Sequence, residues 1–265
     1  MARSAAYRAF EAVSDEERGP DKGNRVRLQK ALASAGLASR RHAETYILDR
    51  RVSVNGVIVD RLGTLVDPGV DELRVDGTLL TAPRRPTYVL LNKPRDTVTT
   101  AFDPEGRKTV LDLIDLPDVR LFPVGRLDRY TTGALLLTDD GELAARLLHP
   151  RYKVEKRYVL RLRPPVLDAA LDRMAAGTEL EDGHHTQPCE VHRLPERHPG
   201  ECSVEVRLRE GHKRQVRLMA QACGLKLISL HRSTFAGLTT QGLAPGTWRR
   251  LRASEIATLR RHAQL

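Results

Sequence analysis

The chain has 265 residues, 40% of them hydrophobic, and 44 Lys and Arg against 34 Asp and Glu give it a formal net charge of +10. That length can bury one good core and a second, smaller one. No window reaches the ~18 to 20 continuous apolar residues of a membrane span, and the N-terminus, MARSAAYRAFEAVSDEERGPDKGNR, is too charged for a signal-peptide apolar region. The expectation is a soluble, cytoplasmic protein. Three scattered cysteines, Cys189, Cys202 and Cys223, contain no C-x-x-C pair and suggest neither a disulfide framework nor a zinc site. The positive charge is unevenly placed: residues 25–51 carry +5 and 203–265 carry +9, whereas 1–24, 52–82 and 83–202 carry −1, −3 and zero. Two concentrated basic blocks point to a polyanion partner, most simply nucleic acid.

Residues 1–25 read as a disordered tail. After it, Leu28, Ala31, Leu32 and Ala35 recur at helical spacing, with Gly36 as the stop. Ser39 can cap a second helix running to about Asp49, with Ala43, Tyr46 and Ile47 facing inward. VSVNGVIV then places Asn55-Gly56 between two β-rich runs, a strong hairpin signal. Arg27, Lys30, Arg40, Arg41, Arg50 and Arg51 fall on the helical half, whereas Asp60, Asp67, Asp71, Glu72 and Asp76 fall on the β half, so one face is expected to meet phosphate. The stretch VRLQKALASAGLASRRHAETYILDRRVSVNGVIV resembles the S4-type RNA-binding domain, and the likeness runs to about Leu80. It favours structured RNA as the polyanion and a domain over 26–82.

TAPRRPT carries two prolines and no periodicity, giving a linker over 83–87 and a second domain over 88–265. YVLLNKP is a buried-type strand stopped by Pro94, VLDLI suits a short helix, GALLLT is a further strand, and DDGELAARLLHP turns into a helix ending at Pro150. KRYVLRLR alternates as a strand, and PPVLDAALDRMAAG is a helix with Pro165 near its start and Gly177 near its end. CSVEVRLREGHKRQVRLMAQACG reads as strand, turn, helix; ASEIATLRRHA, capped by Ser254, is the last helix. The fold class is α+β, with a mixed, mostly antiparallel sheet in the second domain.

The chain contains no G-x-x-x-x-G-K-[ST], no G-x-G-x-x-G between strand and helix, no H-E-x-x-H and no G-x-S-x-G, which removes the common nucleotide, zinc-protease and serine-hydrolase readings. His184 and His185 beside Glu181 and Asp182 look like a surface turn rather than a metal site, because adjacent residues on an extended segment point apart. What remains is a carboxylate among cations. Asp128 lies between Arg126 and Arg129, and EGHKRQVR supplies Lys213, Arg214 and Arg217 at a helix start, with Arg214 and Arg217 on one face. A buried carboxylate paired with an arginine stays ionised, ready as nucleophile or base.

At this point the chain resembles the pseudouridine synthases, in the branch in which an S4-type domain precedes the catalytic one. LNKP, DPEGRKTVLDL, VGRLDRYTTGALLLTDDGELAARLLHP, VEKRYVLRL, LEDG, EGHKRQVRLMAQACG and LAPGTWRRL occur in that family's order, over about residues 26 to 255. The resemblance implies isomerisation of uridine to pseudouridine within ribosomal RNA, without cofactor or metal; a monomer is expected. Asp128 corresponds to the family's obligatory aspartate, with a ribosyl ester, a C6 adduct and a glycal all open as the first intermediate. Tyr158 matches the active-site tyrosine that stacks on uracil and suits proton transfer at C5. Arg217 matches the arginine paired with the aspartate, Val216 the apolar neighbour touching the base, and Arg126 the side chain that helps displace the nucleotide. Arg214 joins this substrate-contacting set; Lys93 and Lys213 join the RNA-binding set, and Arg129 is left as a surface ion-pair residue.

Two departures from the family are visible. Asp96 stands where many relatives have Gly, and His212 and Lys213 stand where relatives often have Arg and Asn. DPEGRKTV and LAPGTWRRL resemble the branch acting on large-subunit rRNA more than the small-subunit one. A small-subunit target, and a non-catalytic ribosome-assembly protein of the same fold, remain open on the residues alone.

Overall fold

The computed structural model describes residues 25–80, 85–195, 200 and 202–265, and the chain divides into two compact units, Met1–Arg84 and Arg85–Leu265. The tail assigned to 1–25 lies outside the described residues except for Arg25, as does the start of the 83–87 linker.

In the first unit β1 (Val26–Arg27) leads into α1 (Leu28–Ser34), and α2 (Arg40–Leu48) begins where the Ser39 hydroxyl accepts the His42 N–H at 3.1 Å. Gly36, at φ +81°, stops α1 in the left-handed region, where a Cβ is strained. Strands β2 (Val52–Val54) and β3 (Val57–Val59) are joined by Asn55 and Gly56, both at positive φ, the two-residue turn that matches strand twist. With β4 (Leu65–Val66) on β1, and β5 (Leu73–Val75) and β6 (Thr78–Leu79) completing a β3-β2-β5-β6 sheet, these elements enclose Leu28, Leu32, Ala43, Ile47, Val52 and Val75. Tyr46 is only partly buried, because its ring lies against the Arg51 guanidinium (4.3 Å) and the His42 ring (5.0 Å).

The charge separation expected of this unit is incomplete. Register puts Val52 opposite both Val59 and Val75, so the arginines before β2 meet the acids that follow its partners. Arg51 donates to Asp76 at 2.9 and 2.5 Å, and Arg50 lies 3.8 Å from Asp60. Arg27, Arg40 and Arg41 are exposed, and Lys30 is half-buried.

The second unit is built on a nine-stranded sheet. Its main path runs β11 (Glu190–Arg193), β12 (Cys202–Leu208), β10 (Lys156–Arg163), β13 (Lys226–Phe235), β9 (Thr131–Thr138), β7 (Tyr88–Lys93), β15 (Trp248–Arg250); β14 (Leu238–Thr239) adds to β13 and β8 (Phe122–Pro123) to β9. Only the β9–β13 ladder is parallel, so the sheet is mixed and mostly antiparallel. β7 is buried at all six positions, which is why its sequence shows a continuous apolar run without alternation. On one face Leu90 and Leu136 pack under α3 (Gly141–Leu148) and α6 (Ala253–His262); on the other Leu91 and Leu135 meet Val110, Leu121 and Leu127. The remaining half packs Leu160, Leu162, Val204 and Val206 against α4 (Asp168–Ala176) and α5 (Gln215–Ala222).

Three local expectations change. VLDLI forms a single 3₁₀ turn, Leu111–Leu113. α6 is capped at Arg252, whose N–H donates to the Glu255 carboxylate at 2.8 Å, and Ser254 lies inside the helix. Thr87, assigned to the linker, is buried: its N–H donates to Asp139 at 2.7 Å and its carbonyl accepts the Thr138 hydroxyl at 2.7 Å. No helix among the described residues is long and apolar enough to cross a membrane.

Candidate active site

The site grows out of the N-terminal end of β9. Gly133, at φ +107°, faces Arg232 of the parallel β13, and a Cβ there would lie 2.2 Å from the Arg232 carbonyl oxygen. Only glycine lets the two backbones approach this closely. Upstream, Leu127 is buried in the core, and both its backbone groups are held by the Thr99 hydroxyl, which donates to the carbonyl at 2.7 Å and accepts the N–H at 3.3 Å. Downstream, the Thr131 N–H donates to the Asp128 carbonyl at 3.0 Å. Asp128 is therefore held on a loop pinned at both ends.

Lys93 is part of this pinning and not, as expected, a surface contact for RNA. It is fully buried at the end of β7, and its ammonium donates to the carbonyls of Pro94 (3.0 Å), Arg129 (3.1 Å) and Thr131 (2.9 Å). Burial pushes it down to about 8, against the opposing pull of the Asp128 and Asp96 charges. Arg129 does form the expected surface ion pair, with Asp96 at 2.5 Å. Asp96 sits at φ +63°, a left-handed position where glycine is the unstrained choice.

The second limb is the turn into α5. Gln215 is buried, and its side chain braces the turn by donating to the Glu210 carboxylate while accepting the His212 N–H at 3.0 Å. Arg214, at φ +56°, is the N-cap residue, which brings Arg217 into the first turn of the helix. From there the Arg217 Nε donates to Asp128 Oδ2 at 3.3 Å and its Nη2 to the Thr131 hydroxyl at 2.9 Å. Residues 89 apart in sequence thus share one ion pair.

Asp128, Arg126, Tyr158, Arg214 and Val216 line a single cleft with Glu210, His212 and Gln215, and Arg217 reaches it through Asp128. The expected buried aspartate is instead open, its side chain 40% exposed at the cleft wall. Lys213 is exposed on the same turn but off the cleft wall. Thr131, Thr99, Glu210 and Gln215 were not foreseen; a Thr or a Gln on a loop carries no periodic signal. The 181–185 stretch is a surface turn, as read from the sequence, with Glu181, Asp182 and His185 exposed and the half-buried His184 stacked on the His212 ring at 4.3 Å. Among the described residues no group of three or more His, Cys, Asp or Glu is arranged to hold a metal.

A cleft joining a carboxylate, an arginine that holds it, a tyrosine and flanking cations suits a base carried on a polyanion. Comparison with known proteins agrees. Residues 87–222 match the RNA pseudouridylate synthase family and residues 26–71 match the S4 domain. An uncharacterized RNA pseudouridine synthase of Aquifex aeolicus is 44% identical over 88% of this chain and 93% of its own. The ribosomal large subunit pseudouridine synthase B of Bacillus subtilis is 40% identical over 88% and 95%. A solved pseudouridylate synthase superposes with a TM-score of 0.63 at 32% identity, over 88% of this chain and 99% of that one. The chain belongs to the RNA pseudouridine synthase family and carries an S4 domain ahead of its catalytic domain.

Proposed function

We propose that this enzyme isomerises one uridine of large-subunit ribosomal RNA to pseudouridine, with Asp128 as the carboxylate that acts on the nucleotide. The reaction breaks the N1–C1′ bond and forms C5–C1′, the C5 proton is lost to solvent and N1 takes one up, so substrate and product are isomers and the balance requires no oxidant or reductant. The observation that carries the assignment of roles is the Asp128–Arg217 contact, doubly anchored through Thr131, in the cleft that also holds Tyr158. Tyr158, fixed on β10 opposite Val206 and Arg232, supplies a flat face for the uracil. Arg126 is exposed beside Asp128 and is placed to fill the stack when the uridine leaves it, a displacement that costs a few kcal/mol. The choice of large-subunit RNA is supported by the 40% identity to the Bacillus subtilis large-subunit synthase over nearly the full length of both chains.

The test is release of tritium from uridine C5 in transcripts of the two rRNAs. Wild-type protein is expected to release it from the large-subunit transcript, and Asp128→Asn to release none while keeping most of its affinity for the RNA. Release by Asp128→Asn at the wild-type rate would remove Asp128 from the chemistry. Release from the small-subunit transcript alone would reverse the target.

A further inference from the structure

His212 lines the cleft but has no part in the proposed reaction, and the structure stacks His184 against it. Their rings lie 4.3 Å apart and 5° from parallel. His212 Nε2 is 2.6 Å from Asp182 Oδ2, which fixes the ring by one edge; its backbone N–H is held by Gln215, which fixes the other end of the residue. His184 covers one ring face, and His212 lines the cleft, so the opposite face and the Nδ1 edge remain for whatever enters. The backing ring is held at a cost. His184 Nε2 is buried without a hydrogen-bond partner, its nearest carboxylate being Glu210 at 4.0 Å, and unmade buried hydrogen bonds disfavour the folded state.

We propose that His212 is a positioning residue of the cleft: its imidazole, fixed by Asp182 and backed by His184, is the stacking wall for the nucleobase next to the target uridine. This rests on the RNA-modification reading above and adds a subsite to it. Tyr158 and Asp128 come from β10 and the β9 loop and attend to the target itself; His212 belongs to the other limb, the 210–214 turn on the opposite wall of the same cleft, and is free to meet a neighbouring nucleotide. A displaced uridine drags its neighbour out of register, and a flat, immobile ring that replaces the lost stacking partner holds the strand open. Sequence-tolerant stacking of this kind needs a π-face and no hydrogen-bond code. A phosphate contact, by contrast, would leave the parallel backing ring without purpose.

The experiment uses full-length protein and an rRNA stem-loop that it binds, with abasic sites walked one at a time through the loop. Turnover is read as kcat/KM, and affinity is read with Asp128→Asn as the background. On the intact RNA, His212→Ala is expected to lose about tenfold, the size of one base–aromatic stack. At one abasic position the parent protein loses the same factor and His212→Ala loses nothing further. His212→Phe, which keeps the ring and discards its nitrogens, should stay within threefold of the parent and keep the abasic sensitivity. An equal His212→Ala loss at every abasic position overturns the proposal, as does a His212→Phe protein that behaves like His212→Ala. Absence of turnover by wild type refutes the reaction assignment alone, because the affinity cycle still reads the stack.

Discussion

Replacing Lys93 by Met should remove a pH dependence from the stability of the catalytic unit. Lys93 is fully buried with three carbonyl acceptors, and burial moves its ammonium from the ordinary 10.5 down to about 8. Below pH 8 folded and unfolded chains both carry the proton, and the folded state bears the whole desolvation penalty. Between 8 and 10.5 the folded chain releases the proton while the unfolded chain keeps it. The unfolded state then binds more protons, so stability rises with pH. At 1.36 kcal/mol per pH unit the rise approaches ~3 kcal/mol. Cys189, pushed up to about 11, and Tyr88, also pushed up by burial, bend the curve the other way, and Lys156 behaves as Lys93 does; all three are common to both proteins and cancel in the difference. The assay is urea unfolding at pH 7 to 10.5 followed by Trp248, the only tryptophan, which pairs with Leu91 two residues from Lys93. Wild type should gain on Lys93→Met steadily above pH 8. Parallel curves for the two proteins across that window would refute the assignment of the titration to Lys93. Turnover by Lys93→Met should be low at every pH, since the Arg129 and Thr131 carbonyls that flank Asp128 lose their shared donor.

Two further substitutions test the frame of the site. Thr131→Val keeps the shape but removes the acceptor of Arg217 Nη2, a hydrogen bond to a charged group worth about 1.5 kcal/mol at the low end; kcat should fall about tenfold with RNA affinity unchanged, and an unaltered kcat would remove Thr131 from the positioning of Arg217. Gly133→Ala forces a Cβ to 2.2 Å from the Arg232 carbonyl at a φ of +107°. The expected cost is about 3 kcal/mol or more, seen as a melting temperature lower by roughly 10 °C, and a variant that melts with wild type would show that β9 and β13 can separate without penalty.

What could be read from the sequence follows the range of the interactions that fix each feature. The Asn55-Gly56 hairpin and the Ser39 cap are set by residues within three positions of each other, and both stand where local chemistry puts them. β7 and β9 were visible as apolar runs because burial on both faces leaves no alternation to confuse. The pairing of Asp128 with Arg217 had no local signal; it entered through motifs resembling a family, and the fold closes the 89-residue gap. Lys93 was misread for a related reason. A lysine is by default a surface cation, and nothing near LNKP announces that three carbonyls from its own strand end and the β9 loop will enclose it. Ser254 was misplaced as a cap because the Glu255 carboxylate takes the Arg252 N–H and the helix starts earlier, at Ala253.

The openness of Asp128 fits the role proposed for it. A carboxylate sealed in the core could be held rigidly by packing, but a nucleotide could not reach it. One left on a free surface could be reached, but would sample many rotamers and lose the benefit of fixed orientation. Here rigidity is supplied through the backbone, by Thr99, Lys93 and the Thr131 N–H, so that the side chain itself can face the cleft. Arg217 completes the arrangement because it has two acceptors. On the role proposed for Asp128, a sugar that displaced the longer contact, 3.3 Å to Asp128, would leave the shorter one, 2.9 Å to Thr131, to keep the guanidinium in place.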